Sequence, residues 1–176
     1  MNYLTKSGIE YVGGGRNEGE IYGGKVTEVK GIRIGLVAYT YSNDKNLAGL
    51  NVEKMKMAVK KTLGMADMVI VMMHAGVEYQ PIAGQQQVDF ARAAIDAGAE
   101  MVIGHHPHVV QNEEVYKGKY IFYSLGNFVF DQMWSEATRK GLALKISLGK
   151  DGVKNIERVP VMIDDYCQPR IISSSK

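Results

Sequence analysis

The alternation of strands and helices between residues 32 and 104 constrains this chain most. Ile32-Arg33-Ile34-Gly35-Leu36-Val37-Ala38-Tyr39 is β-rich and largely apolar, and predicts a buried strand. Asn51 is a candidate N-cap, with Lys54 standing where a capping box would carry Glu. Val52, Met55, Val59 and Leu63 follow at helical spacing, and Gly64 ends the run. Residues 67–73 form a second buried strand around Met68-Val69-Ile70-Val71-Met72-Met73. A second helix is expected over 85–97, with Val88, Ala91 and Ile95 on one face and Gly98 at its stop. A short strand at 100–103 closes the series. Strand, helix, strand, helix, strand implies right-handed crossovers and parallel pairing.

After His108 the rhythm changes. Residues 120–125, 142–148 and 153–163 read as strands with short connections, and Gly149-Lys150-Asp151-Gly152 makes a hairpin of the last two. The second half is therefore expected to be antiparallel or mixed. Residues 10–25 are glycine-rich, with a Gly13-Gly14-Gly15 run, and read as loop with a short strand at 10–12. The chain is read as one domain over 1–176, with a frayed tail at 170–176 that includes Ser173-Ser174-Ser175-Lys176.

Composition excludes several classes. The 176 residues suffice for one domain with a core, and 45% apolar with 23% charged residues is ordinary for a globular protein. A formal charge of +2, with Lys54, Lys56, Lys60 and Lys61 as the densest basic group, argues against nucleic acid as a partner. That group reads as the wet face of a helix. The single Cys167 excludes an internal disulfide and a cysteine-rich zinc site. No apolar run approaches the ~20 residues of a membrane span, and the N-terminus lacks a signal-peptide core. Met55, Met57, Met65, Met68, Met72 and Met73 read as core filler.

The chemistry sits at strand ends. Three of the four histidines lie in Gly104-His105-His106-Pro107-His108, and the fourth, His74, closes the apolar run. Neutral imidazole is the commonest metal ligand near neutral pH. In open α/β sheets ligands gather beyond the carboxyl ends of strands, so His74, His106 and His108 are candidate ligands expected to converge on one side of the sheet. Pro107 restricts the chain between the last two, and Gly104 is read as permitting a tight turn. Taken alone, His74 is better explained by a hydrogen bond to a loop carbonyl. His105 is ambiguous between a catalytic or substrate contact, a core hydrogen bond and a substitute ligand. Glu78 is a candidate orienter or general acid, with an exposed loop carboxylate as the simpler reading. Asn127, in Ser124-Leu125-Gly126-Asn127-Phe128, is a candidate for a metal, a phosphate oxygen or its own turn. Asp131 shares that ambiguity. Arg16, after the glycine run, is a candidate anion donor.

Four segments together, His74-Ala-Gly-Val-Glu78-Tyr79, Asp96-Ala-Gly-Ala, Gly104-His-His-Pro-His108-Val and Tyr123-Ser-Leu-Gly-Asn127-Phe128, resemble the bacterial poly-γ-glutamate capsule-synthesis (CapA-like) family. The resemblance runs from about Gly8 to Pro169. It implies a branch of the calcineurin-like metallophosphoesterases: an α/β chain with an αββα sandwich, here incomplete, parallel βαβ units preceding the antiparallel or mixed strands. It implies a divalent metal (Mn, Zn or Fe, dinuclear in a longer parent) held in part by His74, His106 and His108. The catalytic candidates on this reading are His105 and Glu78, and the substrate contacts Asn127 and Arg16. The superfamily's early elements, Asp-x-His, Gly-Asp-x-x-Asp and Asn-His-Asp/Glu, do not occur here. The chain therefore resembles a C-terminal portion, or a shortened gene product, whose metals would lack carboxylate ligands. Implied partners are the capsule polymer or its precursor, other capsule-synthesis proteins and a second copy of the chain. The implied location is the cell envelope or its outer face. A non-catalytic polymer-assembly or binding role is the alternative function.

Overall fold

The computed structural model describes residues 2–172. Its framework is six strands: β1 (Lys25–Val29), β2 (Ile32–Thr40), β3 (Met68–His74), β4 (Met101–His105), β5 (Glu113–Tyr116) and β6 (Lys119–Phe122). They form one sheet in the order β1-β2-β3-β4-β6-β5. The pairs β2–β3, β3–β4 and β4–β6 are parallel, while the two edge pairs are antiparallel. The crossovers are α3 (Val52–Leu63) and α4 (Gln85–Asp96), following the short α1 (Asn2–Lys6) and α2 (Glu18–Ile21). A second, antiparallel sheet contains β7 (Lys140–Gly149), β8 (Gly152–Asp164) and β9 (Gln168–Ile171), entered through the single turn α5 (Glu136–Arg139).

Apolar burial fixes the layers. On one face of the large sheet Val37, Val69, Val71 and Val102 pack with Met55, Val59, Phe90, Ala91 and Ala94 of α3 and α4. On the other, Ile70, Met101 and Phe122 meet Leu142, Leu144, Ile146, Val153 and Ile156 of the small sheet. These are the α, β and β layers of the expected sandwich. The parallel region and the later antiparallel strands fall where the spacing puts them.

The helix signals behave as their chemistry requires. Asn51 Oδ1 accepts the Lys54 N–H at 2.9 Å and caps α3, and Gly64 ends it. Several details differ from expectation. Residues 10–12 form no strand, and residues 18–21 form α2. Gln168–Ile171 pair with β8, so ordered structure extends past residue 170. Residues 173–176 lie outside the described residues. Met55, Met68 and Met73 are core, whereas Met57 and Met65 are exposed, because they sit on the outer face of α3 and in the turn after it.

Candidate functional site

Strands β3 and β4 run in register, with His74 opposite His105. Both histidines therefore end at the same height on the carboxyl edge of the sheet. The chain leaving β3 is bent back by Gly76 (φ +122°), where a Cβ would lie 2.6 Å from the Gln87 amide. Tyr79, also left-handed (φ 64°), then donates its N–H to the Pro107 carbonyl at 2.8 Å. That bond joins the loop carrying Glu78 to the histidine turn. A buried amide pair steadies the same loop. Gln87 Nε2 donates to Gln111 Oε1 at 2.9 Å, and Gln111 Nε2 donates to the carbonyls of Gln80 and Ile82.

The histidine turn is conformationally unusual. His106 (φ 105°) and His108 (φ 61°) both adopt left-handed backbone on either side of Pro107. Non-glycine residues rarely do so, and such strain clusters at functional sites. Gly104 makes no turn; it lies within β4, and a Cβ there would sit 2.0 Å from the Tyr123 carbonyl oxygen. Its requirement is close backbone approach to the segment after β6.

The outcome is a histidine cluster. The His74 and His106 ring centroids are 4.9 Å apart and those of His106 and His108 are 6.0 Å apart. A cavity of about 480 Å³ opens between the four histidines, the 125–130 loop, and Leu142 and Ala143 of β7. One potential metal-holding group occurs among the described residues: ligand atoms of Glu78, His106 and His108 all lie within 4.8 Å of one another. Glu78, on the loop after β3, contributes the carboxylate of this group. His74 stands beside this trio, in ring contact with His106.

Electrostatics favours the neutral form of His74 and His105. Partial burial lowers the pKa of His74, and repulsion from His106, His105 and His108 lowers it further. Burial also lowers His105. Neutral rings keep a lone pair for a cation. Tyr79 is raised by burial and then by its bond to Glu78.

Asn127 is buried beneath His108. Its Oδ1 lies 2.9 Å from His108 Nδ1, while its Nδ2 donates to the Thr138 carbonyl at 2.9 Å and to Gln132 Oε1 at 3.2 Å. Both amide hydrogens are thereby committed, which leaves no donor for a substrate oxygen. Arg16 does not line the cavity; its guanidinium pairs with Glu20 at 3.3 Å. The glycine run beside it is filled by the chain itself, since a Cβ on Gly13 would meet Ala38 and one on Gly15 would meet Glu20. Asp131 is exposed and outside both the cavity lining and the metal-holding group.

Aromatic rings complete the rim. Phe130 lies 5.0 Å and Tyr79 6.1 Å from the His108 ring, and exposed Trp134 meets Tyr79 edge-on at 4.8 Å. Sequence reading did not single these out, because a loop aromatic carries no periodic signal.

With this geometry in hand, similarity to known proteins is decisive. Residues 1–132 match the bacterial capsule synthesis proteins grouped as PGA_cap. The chain belongs to this family. It is 34% identical over 188 aligned positions to the capsule biosynthesis protein CapA of Bacillus anthracis, covering 98% of this chain and 44% of the relative. It is 47% identical over 100 positions to the PGA biosynthesis protein CapA of Bacillus subtilis, covering 57% and 26% respectively. The chain thus spans less than half the length of these curated relatives. A crystal structure of a novel phosphatase from Mycoplasma pneumoniae superposes with a TM-score of 0.57 at 14% identity, covering 81% of this chain and 58% of that one. That likeness establishes a phosphatase-like fold for this PGA_cap chain. No described helix is long and apolar enough to cross a membrane.

Proposed function

We propose that this capsule-synthesis chain carries a metal-dependent, phosphoesterase-like hydrolase or transferase site that acts on the capsule polymer or its precursor. The observation that supports this most is the convergence of Glu78, His106 and His108 within 4.8 Å at the carboxyl edge of a parallel sheet. Two imidazoles and one carboxylate are a donor set found in catalytic zinc sites. Ligand bonds of about 2 Å bring ligand atoms to within about 4 Å of one another, so the trio would close further around a bound cation. Mn, Zn and Fe all suit these donors. A divalent cation here would polarise a phosphoryl or carbonyl oxygen as a Lewis acid.

The remaining roles belong to the chain's own groups. His74, beside His106, lines the cavity and is suited to accept a proton or hydrogen-bond an oxygen. His105 lines the same cavity from β4. Phe130, 5.0 Å from the His108 ring, lines the same cavity. On this reading the chain works at the cell envelope with other capsule-synthesis proteins. Pairing of two copies through an open sheet edge is part of the same proposal and is read by light scattering.

The test is a zinc titration of the chain beside hydrolysis of a generic phosphodiester. One ion per chain is expected, with affinity reduced about 100-fold in His106→Ala and in Glu78→Gln. Turnover by this chain alone is expected to be slight, because only one metal-holding group occurs among the described residues. Zinc affinity unaffected by either substitution would end the metal reading. Metal bound by a full-length relative without histidine-dependent turnover would favour the alternative, a non-catalytic polymer-assembly component.

A further inference from the structure

We infer that Asn127 is a positioning residue that fixes the tautomer of His108 and so aims its Nε2 lone pair at Glu78 and His106. The inference rests on the metal-site reading for its purpose but not for its geometry.

The argument starts from the amide's other end. Asn127 Nδ2 lies 2.9 Å from the Thr138 carbonyl oxygen, which can only accept. The amino group must therefore face Thr138, and the carbonyl Oδ1 must face His108. At 2.9 Å from Oδ1, His108 Nδ1 has to be the donor. In a neutral ring the proton then sits on Nδ1, and Nε2 is left with its lone pair. Free neutral histidine prefers the opposite tautomer, so the arrangement is imposed from outside the ring.

The surroundings make that imposition firm. Asn127 is 7% exposed, and its second amide hydrogen is taken by Gln132 Oε1 at 3.2 Å. Thr138, fully buried, donates its N–H to Ser135 Oγ at 3.1 Å and its hydroxyl to the Gln132 carbonyl at 2.9 Å. The start of β7 packs against the Asn127 main chain: a Cβ on Gly141 would lie 2.0 Å from the Asn127 backbone carbonyl oxygen. Rotating the amide would set its Oδ1 against the Thr138 carbonyl oxygen, which is repulsive whichever tautomer His108 adopts, so one orientation is held. A partner that orients the far nitrogen of a ligating histidine typically contributes 10- to 100-fold in metal affinity.

The experiment reads the tautomer without metal. Long-range ¹H–¹⁵N spectra of the chelator-treated chain, at a pH where the ring is neutral, assign His108 by its loss in His108→Ala. The Nδ1–H form is expected in the wild type and the Nε2–H form in Asn127→Leu. A zinc titration of the same two proteins should show roughly 10- to 100-fold weaker binding in the variant. An Nε2–H His108 in the wild type would overturn the inference whether or not the variant folds. Retention of Nδ1–H in a folded Asn127→Leu, or unchanged zinc affinity, would overturn it too. Wild-type protein that binds no zinc would remove the metal site but leave the tautomer result to decide the geometry.

Discussion

His106 is the residue at which conformation and chemistry conflict most openly. Its φ of 105° costs a side-chain-bearing residue on the order of 1 kcal/mol or more. Alanine at this position would keep the strain and lose the imidazole, whereas glycine would lose both. We expect metal-free His106→Gly to be more stable than metal-free His106→Ala by about 1 kcal/mol in urea denaturation, with zinc affinity reduced equally in both. Equal stabilities would mean that the turn is not strained. The residue types at this turn made it conspicuous in the sequence, since three histidines in four positions after an apolar strand are hard to explain as surface. Glu78 was harder to place. Its position depends on the Tyr79 N–H reaching Pro107, a contact between segments almost thirty residues apart that local spacing cannot encode.

Among elements, those with a long apolar or periodic run were readable and the short edge strands were not. β2, β3 and α3 carry long apolar or periodic patterns because neighbours cover them on both sides or on one face. β1, β5 and β9 are edge strands whose residues are mostly exposed, so they show no hydrophobic period. The entry to β3 offers a test at this scale. Asp67 accepts the Arg33 N–H at 2.7 Å and its guanidinium at 2.8 Å, joining β3 to β2. The bond from the Arg33 side chain, then that from its backbone, holds the Asp67 carboxyl below its ordinary value. A depressed carboxylate stabilises the fold above its unfolded pKa, and that contribution is lost as pH falls through the folded value. Asp67→Asn should therefore lower the urea midpoint near neutral pH, with the difference from wild type shrinking as pH falls below the ordinary carboxylate range. A difference that persists undiminished there would show that the charge is not what matters.

At the level of the whole molecule, the site exists because two sheets meet. The histidines come from the large sheet, while Leu142 and Ala143, which wall the cavity, come from the small one. Phe122, 2% exposed, belongs to the apolar layer between them. Phe122→Ala should cost about 3–5 kcal/mol in chemical denaturation. A loss under about 1 kcal/mol would mean that the sheets are not packed as described.

The hydrogen bond from Tyr79 to Pro107 has a kinetic consequence. An amide proton exchanges with solvent only while its bond is open, so the exchange rate of this one proton counts how often the two loops part. A cation held by Glu78 on one loop and by His106 and His108 on the other binds only while they are together. It should slow exchange at Tyr79 in proportion to its occupancy, as any ligand of the closed state does. Amide exchange at Tyr79, followed with and without zinc, is expected to slow with the metal and to return to its original rate with a chelator. The backbone of an otherwise ordinary loop residue would then report the state of the site directly, with no substrate present.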